Sequence, residues 1–289
     1  MGEINYSYQH EDFNLSLAYY YTLVLQVNST HFTYAVVYDD KLMALAERCN
    51  LEELVNPTGM ADELFANFKN IVVGVDADSF TLVPAELYNT DKVAGYARFL
   101  DVKEDEKVLA QQLDPDNFII YKITAPVFEA IEKFDLNRCI YSSKGWINAI
   151  TSTNPAYNTI YVNIEEGRAE LLRFKNGKVR LYNTFEYKTS DDLAYAVSMV
   201  FKQMGVLQRE IHLSLSGSAL NKEYKARLAD FFPVVDVNKL RIVKLPEELN
   251  PAQWLKLSAL LLCVSSEANK RAALKSAKKL TGTPYYRSG

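Results

Sequence analysis

The sequence predicts an α/β protein of two lobes, each built on a β-β-β-α-β unit, with a cleft between them. Two observations carry this. First, residues 159–182 read as strand, tight turn, strand, tight turn, strand: Ile160, Val162 and Ile164 alternate, Glu165-Glu166-Gly167 turns the chain, and Asn176-Gly177 is a strong hairpin signal. Second, the same layout occurs earlier at a constant offset, with Thr22 for Thr159, Leu25 for Val162, Asp39-Asp40 for Asn176-Gly177 and Lys41 for Lys178. Any two hairpins alternate, so the meander alone would be weak evidence. A meander, a helix and a strand repeated in one order are stronger, and they point to an internal duplication.

Taken in order, residues 1–18 are expected to form a loosely packed tail, 19–150 the first lobe, 151–266 the second lobe and 267–289 a basic C-terminal tail. In the first meander Leu23, Leu25 and Val27 lie on one face and Val24 on the other, so that strand should be covered on both sides. A helical stretch over 51–69 is broken by Pro57-Thr58-Gly59, and 71–75 reads as a buried strand ending at Asp76-Ala77-Asp78. Residues 80–123 are less regular and could be a small insertion in the first lobe, in which the charge run 103–107 reads as a solvated loop. Residues 126–134 fit a short helix with proline in its first turn, 138–141 a strand, and the Thr-, Ser- and Asn-rich stretch 148–157 a lobe boundary.

In the second lobe Thr189 and Asp192 form the pattern of a capping box, Leu193, Val197 and Val200 follow at helical spacing, and Gly205 ends the helix. A strand over 211–215 runs through Ser216-Gly217-Ser218-Ala219 into a helix over 220–231. A last helix begins at Pro251 with Trp254, Leu257, Leu260, Leu261 and Val264 on its apolar face.

The composition is that of an ordinary globular protein, 48% hydrophobic and 24% charged, with 19 Tyr against 2 Trp. A net charge of −4 gives no global attraction to nucleic acid, so a nucleic-acid partner is disfavoured. No apolar run is long enough to span a bilayer, so no membrane insertion is expected. The three cysteines and three histidines are scattered, which argues against a zinc site or a disulfide scaffold and makes a reducing cytoplasm the default location.

The doubled β-β-β-α-β layout, over about residues 19–264, resembles the actin–hexokinase–sugar kinase fold, the actin-like branch of the ribonuclease H-like architecture. It resembles an uncharacterised bacterial family with an actin-like ATPase fold. More distantly it is similar to the cytoplasmic actin-like components of pilus and type II secretion assemblies. The resemblance implies a nucleotide cleft lined by the first hairpin turn of each lobe and by the turn after the strand of 211–215. Members that hydrolyse ATP carry an Asp at the end of the first strand of each lobe, which holds Mg²⁺ through its waters, and a Gly-bearing turn whose N–H groups approach phosphate. Here the first lobe reads Gln26-Val27-Asn28-Ser29, with Gln for the acid and Asn for the Gly. The second reads Asn163-Ile164-Glu165-Glu166-Gly167, with Asn for the Asp and Glu165 near where a phosphate would sit. In the adenosine-contacting turn Ser216 replaces one glycine, while Gly217 and Ser218 remain.

These nine residues, Gln26, Asn28, Ser29, Asn163, Glu165, Gly167, Ser216, Gly217 and Ser218, are the candidate site, a vestigial nucleotide cleft. No cofactor is expected, and ATP with Mg²⁺ is disfavoured because both metal-holding acids are replaced. Ser216–Ala219 would by default only cap a helix, and Asp76 and Asp78 would by default form a turn. A nuclease would require an acid at Gln26. The expected function is a non-catalytic scaffold or assembly factor acting on protein partners. The alternative is a nucleotide or small-molecule binder with weak ATPase or kinase activity, in which Glu165, Glu166 or Asp76 supplies the acid.

Overall fold

The computed structural model describes residues 6–77, 79–204 and 210–264. The chain opens with β1 (Tyr6–Gln9), β2 (Thr22–Val27), β3 (His31–Tyr38) and β4 (Lys41–Asn50). Two short helices, α1 (Glu52–Val55) and α2 (Ala61–Phe65), lead to β5 (Asn70–Val75). Next come β6 (Ser79–Pro84), α3 (Val93–Ala97), β7 (Lys107–Asp114) and β8 (Asn117–Ile123). Helix α4 (Ala125–Glu132), strand β9 (Cys139–Tyr141) and helix α5 (Ser143–Thr151) complete this part. The second lobe holds β10 (Thr159–Glu165), β11 (Arg168–Lys175), β12 (Lys178–Glu186), α6 (Ser190–Met204), β13 (His212–Ser216), α7 (Lys222–Ala229) and β14 (Val234–Val237). Helix α8 (Leu255–Ala259) follows.

Among the described residues the strands form three sheets, ordered β1-β4-β3-β2-β5-β9, β12-β11-β10-β13-β14 and β6-β8-β7. In each of the two larger sheets an antiparallel meander is joined, through its first strand, to a parallel strand: β2 to β5, and β10 to β13. The Asn176-Gly177 turn has both central residues at positive φ, 54° and 71°, the conformation whose twist matches a two-residue hairpin. The capping box forms as the sequence predicts, with Asp192 N–H donating to Thr189 Oγ1 at 3.1 Å and Thr189 N–H to Asp192 Oδ2 at 3.0 Å.

Strand β2 is covered on both sides. Leu23, Leu25 and Val27 pack with Leu54, Leu64, Val73 and Val75, whereas Val24 faces Leu257 and Leu260. In the second lobe Ile160, Val162 and Ile164 pack against Leu193 and Val197 of α6. The other face of that sheet, Tyr161, Leu172, Phe174 and Tyr182, joins the same apolar core as Leu25 and Trp146 of the first lobe. The lobes thus share one core beneath the cleft.

Several expectations are corrected. Residues 6–9, expected within a loose tail, form the edge strand β1 paired to β4, and Ala18 is buried. Helix α5 runs into the stretch read as a lobe boundary. Within the segment expected in the second lobe, Val243, Leu257, Leu260 and Cys263 pack instead on the outer face of the first sheet, over Val24, Val37, Leu42 and Leu45, while Ala252 stays in the second-lobe core. That face is apolar and would otherwise meet water. The last helix starts at Leu255 rather than Pro251, and α7 starts at Lys222. Within 80–123, expected as a small insertion, the chain makes the three-stranded sheet with α3; only Glu106, read as part of a solvated loop, differs, pairing with Lys122 at 2.8 Å. The expectations for Asp78, for Gly205 and for the basic tail 267–289 lie outside the described residues. Among the described residues no helix is long and apolar enough to cross a membrane.

Helix α5 crosses α8 at Gly145. A Cβ there would sit 2.5 Å from the Ala259 carbonyl oxygen and 2.8 Å from Leu260 N, both backbone atoms that cannot swing away. Gly145→Ala is therefore expected to destabilise the fold by about 1–3 kcal/mol in chemical melts. Gly95→Ala in α3 meets nothing within 4 Å and is expected to be neutral or stabilising. Equal effects of the two substitutions would contradict the close crossing.

Candidate functional site

A cavity of about 1090 Å³ lies between the lobes. Its walls come from the β2–β3 turn and the end of β4, the segment after β5, the β10–β11 turn, the end of β12, the turn after β13, and α8. Of the nine candidate residues, Gln26, Asn28, Ser29, Glu165, Gly167 and Ser218 line it. Asn163 and Ser216 are buried, the Ser216 hydroxyl donating to Asn163 Oδ1 at 3.2 Å. Gly217 packs on Ile164: its φ is +114°, and a Cβ would fall 2.2 Å from the Ile164 carbonyl oxygen. The glycine is needed for that backbone approach. Ser216–Ala219 do not cap α7; Asn221 does, accepting from Tyr224 N–H.

The β2–β3 turn closes on itself. Asn28 Oδ1 accepts from Thr30 N–H at 2.9 Å, His31 N–H at 2.9 Å and Thr30 Oγ1 at 3.0 Å. This Asx turn takes up the N–H groups of Thr30 and His31, donors such a hairpin would offer an anion. His31 stacks further polar contacts on the same turn, its ring nitrogens 3.2 Å from Asn28 Nδ2 and 2.8 Å from Thr30 Oγ1. Burial, and then the Arg48 charge, hold its pKa below the ordinary value against Glu166 and Asp76, so it is neutral at neutral pH.

The amides at the two first-strand positions are likewise engaged. Gln26 Nε2 donates to Asp76 Oδ2 at 2.9 Å, and Asn163 Nδ2 donates to Glu165 Oε1 at 2.9 Å. Glu165 also accepts from the Ser218 hydroxyl. Burial raises the Glu165 pKa and Asp76 pushes the same way, with Lys256 and the two donors offsetting part of it.

The floor of the cleft holds a group that sequence reasoning missed. Lys256 on α8 is 2% exposed, and its ammonium lies 2.7 Å from Asp76 Oδ1 and 2.7 Å from Glu170 Oε1. Asp76 belongs to the first lobe and Glu170, on β11, to the second. Ser142 donates to Asp76, and Ser143 to Glu170 Oε2 at 2.8 Å. Asp76 therefore takes part in a buried link and is not the turn former expected from its sequence. Further contacts join the lobes, among them the Arg48–Glu166 pair, the Arg168 donation to the Ala77 carbonyl, the Tyr141 and Tyr182 hydroxyls at 2.6 Å and the Lys178–Asp116 pair at 3.0 Å. The one sequence signal for Lys256 was a lone charge inside the apolar run from Trp254 to Val264.

A family model described as protein of unknown function (DUF3822) matches residues 10–235. No curated protein matches the chain. Among solved structures it is similar to a protein of Bacteroides thetaiotaomicron VPI-5482 with an actin-like ATPase fold and unknown function, at 20% identity and a TM-score of 0.71, over 87% of this chain and 99% of that one. It is also similar to a chain of the PilM–PilN type IV pilus biogenesis complex, at 13% identity and a TM-score of 0.57, over 84% and 98% of the two chains. At these identities the likeness establishes the general actin-like ATPase fold. Among the described residues no group of three or more His, Cys, Asp or Glu is arranged to hold a metal.

Burial disfavours the Asp76 charge, but Lys256 and the donors Gln26 and Ser142 outweigh it and hold the carboxyl below its usual range. Burial likewise opposes the Lys256 charge, and Asp76, Glu170 and Glu165 more than reverse it, so its pKa stays above that of an ordinary lysine. The Asp76 contribution to stability is thus present above the unfolded value of about pH 4 and is lost as pH falls through the lower folded value. The Lys256 contribution is present below about pH 10 and is lost as pH rises through its folded value. Asp76→Asn should accordingly be less stable than the wild type at neutral pH, with the gap shrinking below about pH 4 in urea melts. A gap that stays constant into acid would remove Asp76 from the link.

Proposed function

Because the chain belongs to the family described as protein of unknown function (DUF3822), whose description assigns no activity, we propose a role from the cleft itself: a non-catalytic, actin-like-fold protein that serves as a scaffold or assembly factor through contacts with other proteins. The observation that carries this reading is the internal closure of the phosphate-facing turn, where Asn28 takes the N–H groups of Thr30 and His31. The donor set around it points the same way. Phosphate transfer on this fold needs free carboxylates for Mg²⁺ and free N–H groups for phosphate. Here Gln26 and Asn163 stand at the acid positions with their NH₂ groups on neighbouring carboxylates, and Asp76 is already bonded to Lys256, Ser142 and Gln26. These residues do not fit a magnesium nucleotide. We read the two larger sheets as copies of one β-β-β-α-β unit whose cleft has been given over to holding the lobes together.

That a similar protein occurs in a pilus biogenesis complex supports an assembly role in general terms. The volume of the cleft favours a second reading, binding of a nucleotide or other small molecule with weak or altered turnover. A thermal melt with millimolar ATP or ADP and Mg²⁺ separates the two. A ligand at about 100 times its dissociation constant would raise Tm by roughly 5–10 °C for a chain of this size. The proposal expects a change under about 1 °C, and a shift of the larger size would replace it with the binding reading.

A further inference from the structure

We propose that the Lys256 ammonium is a built-in cation filling the place between Asp76 and Glu170 that a divalent metal ion would otherwise take, and that it ties the two lobes without any ligand. The two carboxylates come from different sheets, one after β5 and one on β11, and converge on a single positive charge at 2.7 Å each. The ammonium and one carboxylate are withdrawn from water, the side chains of Lys256 and Glu170 being 2% and 4% exposed, while Asp76, 19% exposed, faces the cleft. The remaining carboxylate oxygens are also held, Asp76 Oδ2 by Gln26 and Glu170 Oε2 by Ser143. Two convergent carboxylates with hydroxyl and amide neighbours are the donor types that hard divalent cations select, yet the charge they meet here is covalently part of the chain.

Two buried carboxylates cannot face each other uncompensated, so removing the lysine should leave a vacancy of the right charge and chemistry for a metal ion. The inference goes beyond the proposed role and concerns the metal alone, so its test contains no nucleotide. The probe is Mn²⁺, followed by its paramagnetic resonance and by thermal melting of the full chain. The wild type is expected to bind no Mn²⁺ at this place. Lys256→Ala is expected to bind it at least about 100-fold more tightly than the wild type, because a like charge at contact distance is gone. The ion should recover much of the Tm lost in Lys256→Ala, and Lys256→Ala/Glu170→Gln should lose both effects. Mn²⁺ bound as tightly by the wild type, or not at all by a folded Lys256→Ala, would overturn the proposal.

The unmodified chain supplies a second reading should Lys256→Ala fail to fold. A doubly paired, buried ammonium exchanges its protons slowly and gives a ¹⁵Nζ signal at neutral pH, where solvated lysines give none. The wild type should show that signal, and Lys256→Arg should lack it. Its absence from the wild type would equally overturn the inference.

Discussion

A lysine withdrawn from water must meet negative charge where it sits, or lose its own proton. Lys256 meets it twice, and the two carboxylates belong to different lobes. Desolvating three charged groups offsets much of the Coulomb gain, so this link is a weak source of net stability. Its main effect is geometric. With Asp76 after β5, Glu170 on β11 and Lys256 on α8, the observed placement of the lobes brings all three charges together. A placement that separated them would leave a buried charge alone, at a cost of about 3–5 kcal/mol. The shared apolar core of Tyr161, Leu172 and Phe174 with Leu25 and Trp146 holds the same placement from below.

The rest of the cleft follows from that closed arrangement. On this fold the space between the lobes serves a ligand when its acids, amides and turn N–H groups are free to reach it. Here Gln26, Asn28, Asp76, Asn163 and Glu165 each have a partner within the chain. Gln26 and Asn163 hold carboxylates, Asn28 folds its own turn, and Gly217 serves the packing of the β13 turn on Ile164. Arg48 and Glu166 close a further, exposed pair between the lobes, which counts for little by itself because water screens it.

Those parts of the fold that depend on neighbours in sequence were legible. The alternation of Ile160, Val162 and Ile164, the Asn176-Gly177 turn and the Thr189/Asp192 box are local, and each forms as read. Elements fixed by distant partners were not. Strand β1 exists because the edge of β4 accepts it, and Val243, Leu257, Leu260 and Cys263 return to the first sheet because its outer face needs cover. The cleft shows the same division. That Gln26 and Asn163 lie on the first strands of the two lobes could be read from the sequence, but where their amides point could not. Asp76 looked like a turn residue, and no local pattern singled out Glu170 or Lys256 for the cleft. Nothing local says that the three meet.

The chain's own side chains hold the lobes in one placement. The most direct measurement is the distance distribution between spin labels at Glu52→Cys on the first lobe and Tyr195→Cys on the second, both exposed, in a Cys49→Ser background. The wild type should show one narrow distance that ATP, ADP and Mg²⁺ leave unchanged and that broadens in Lys256→Ala. Two populations in the wild type, or a shift on adding nucleotide, would contradict it.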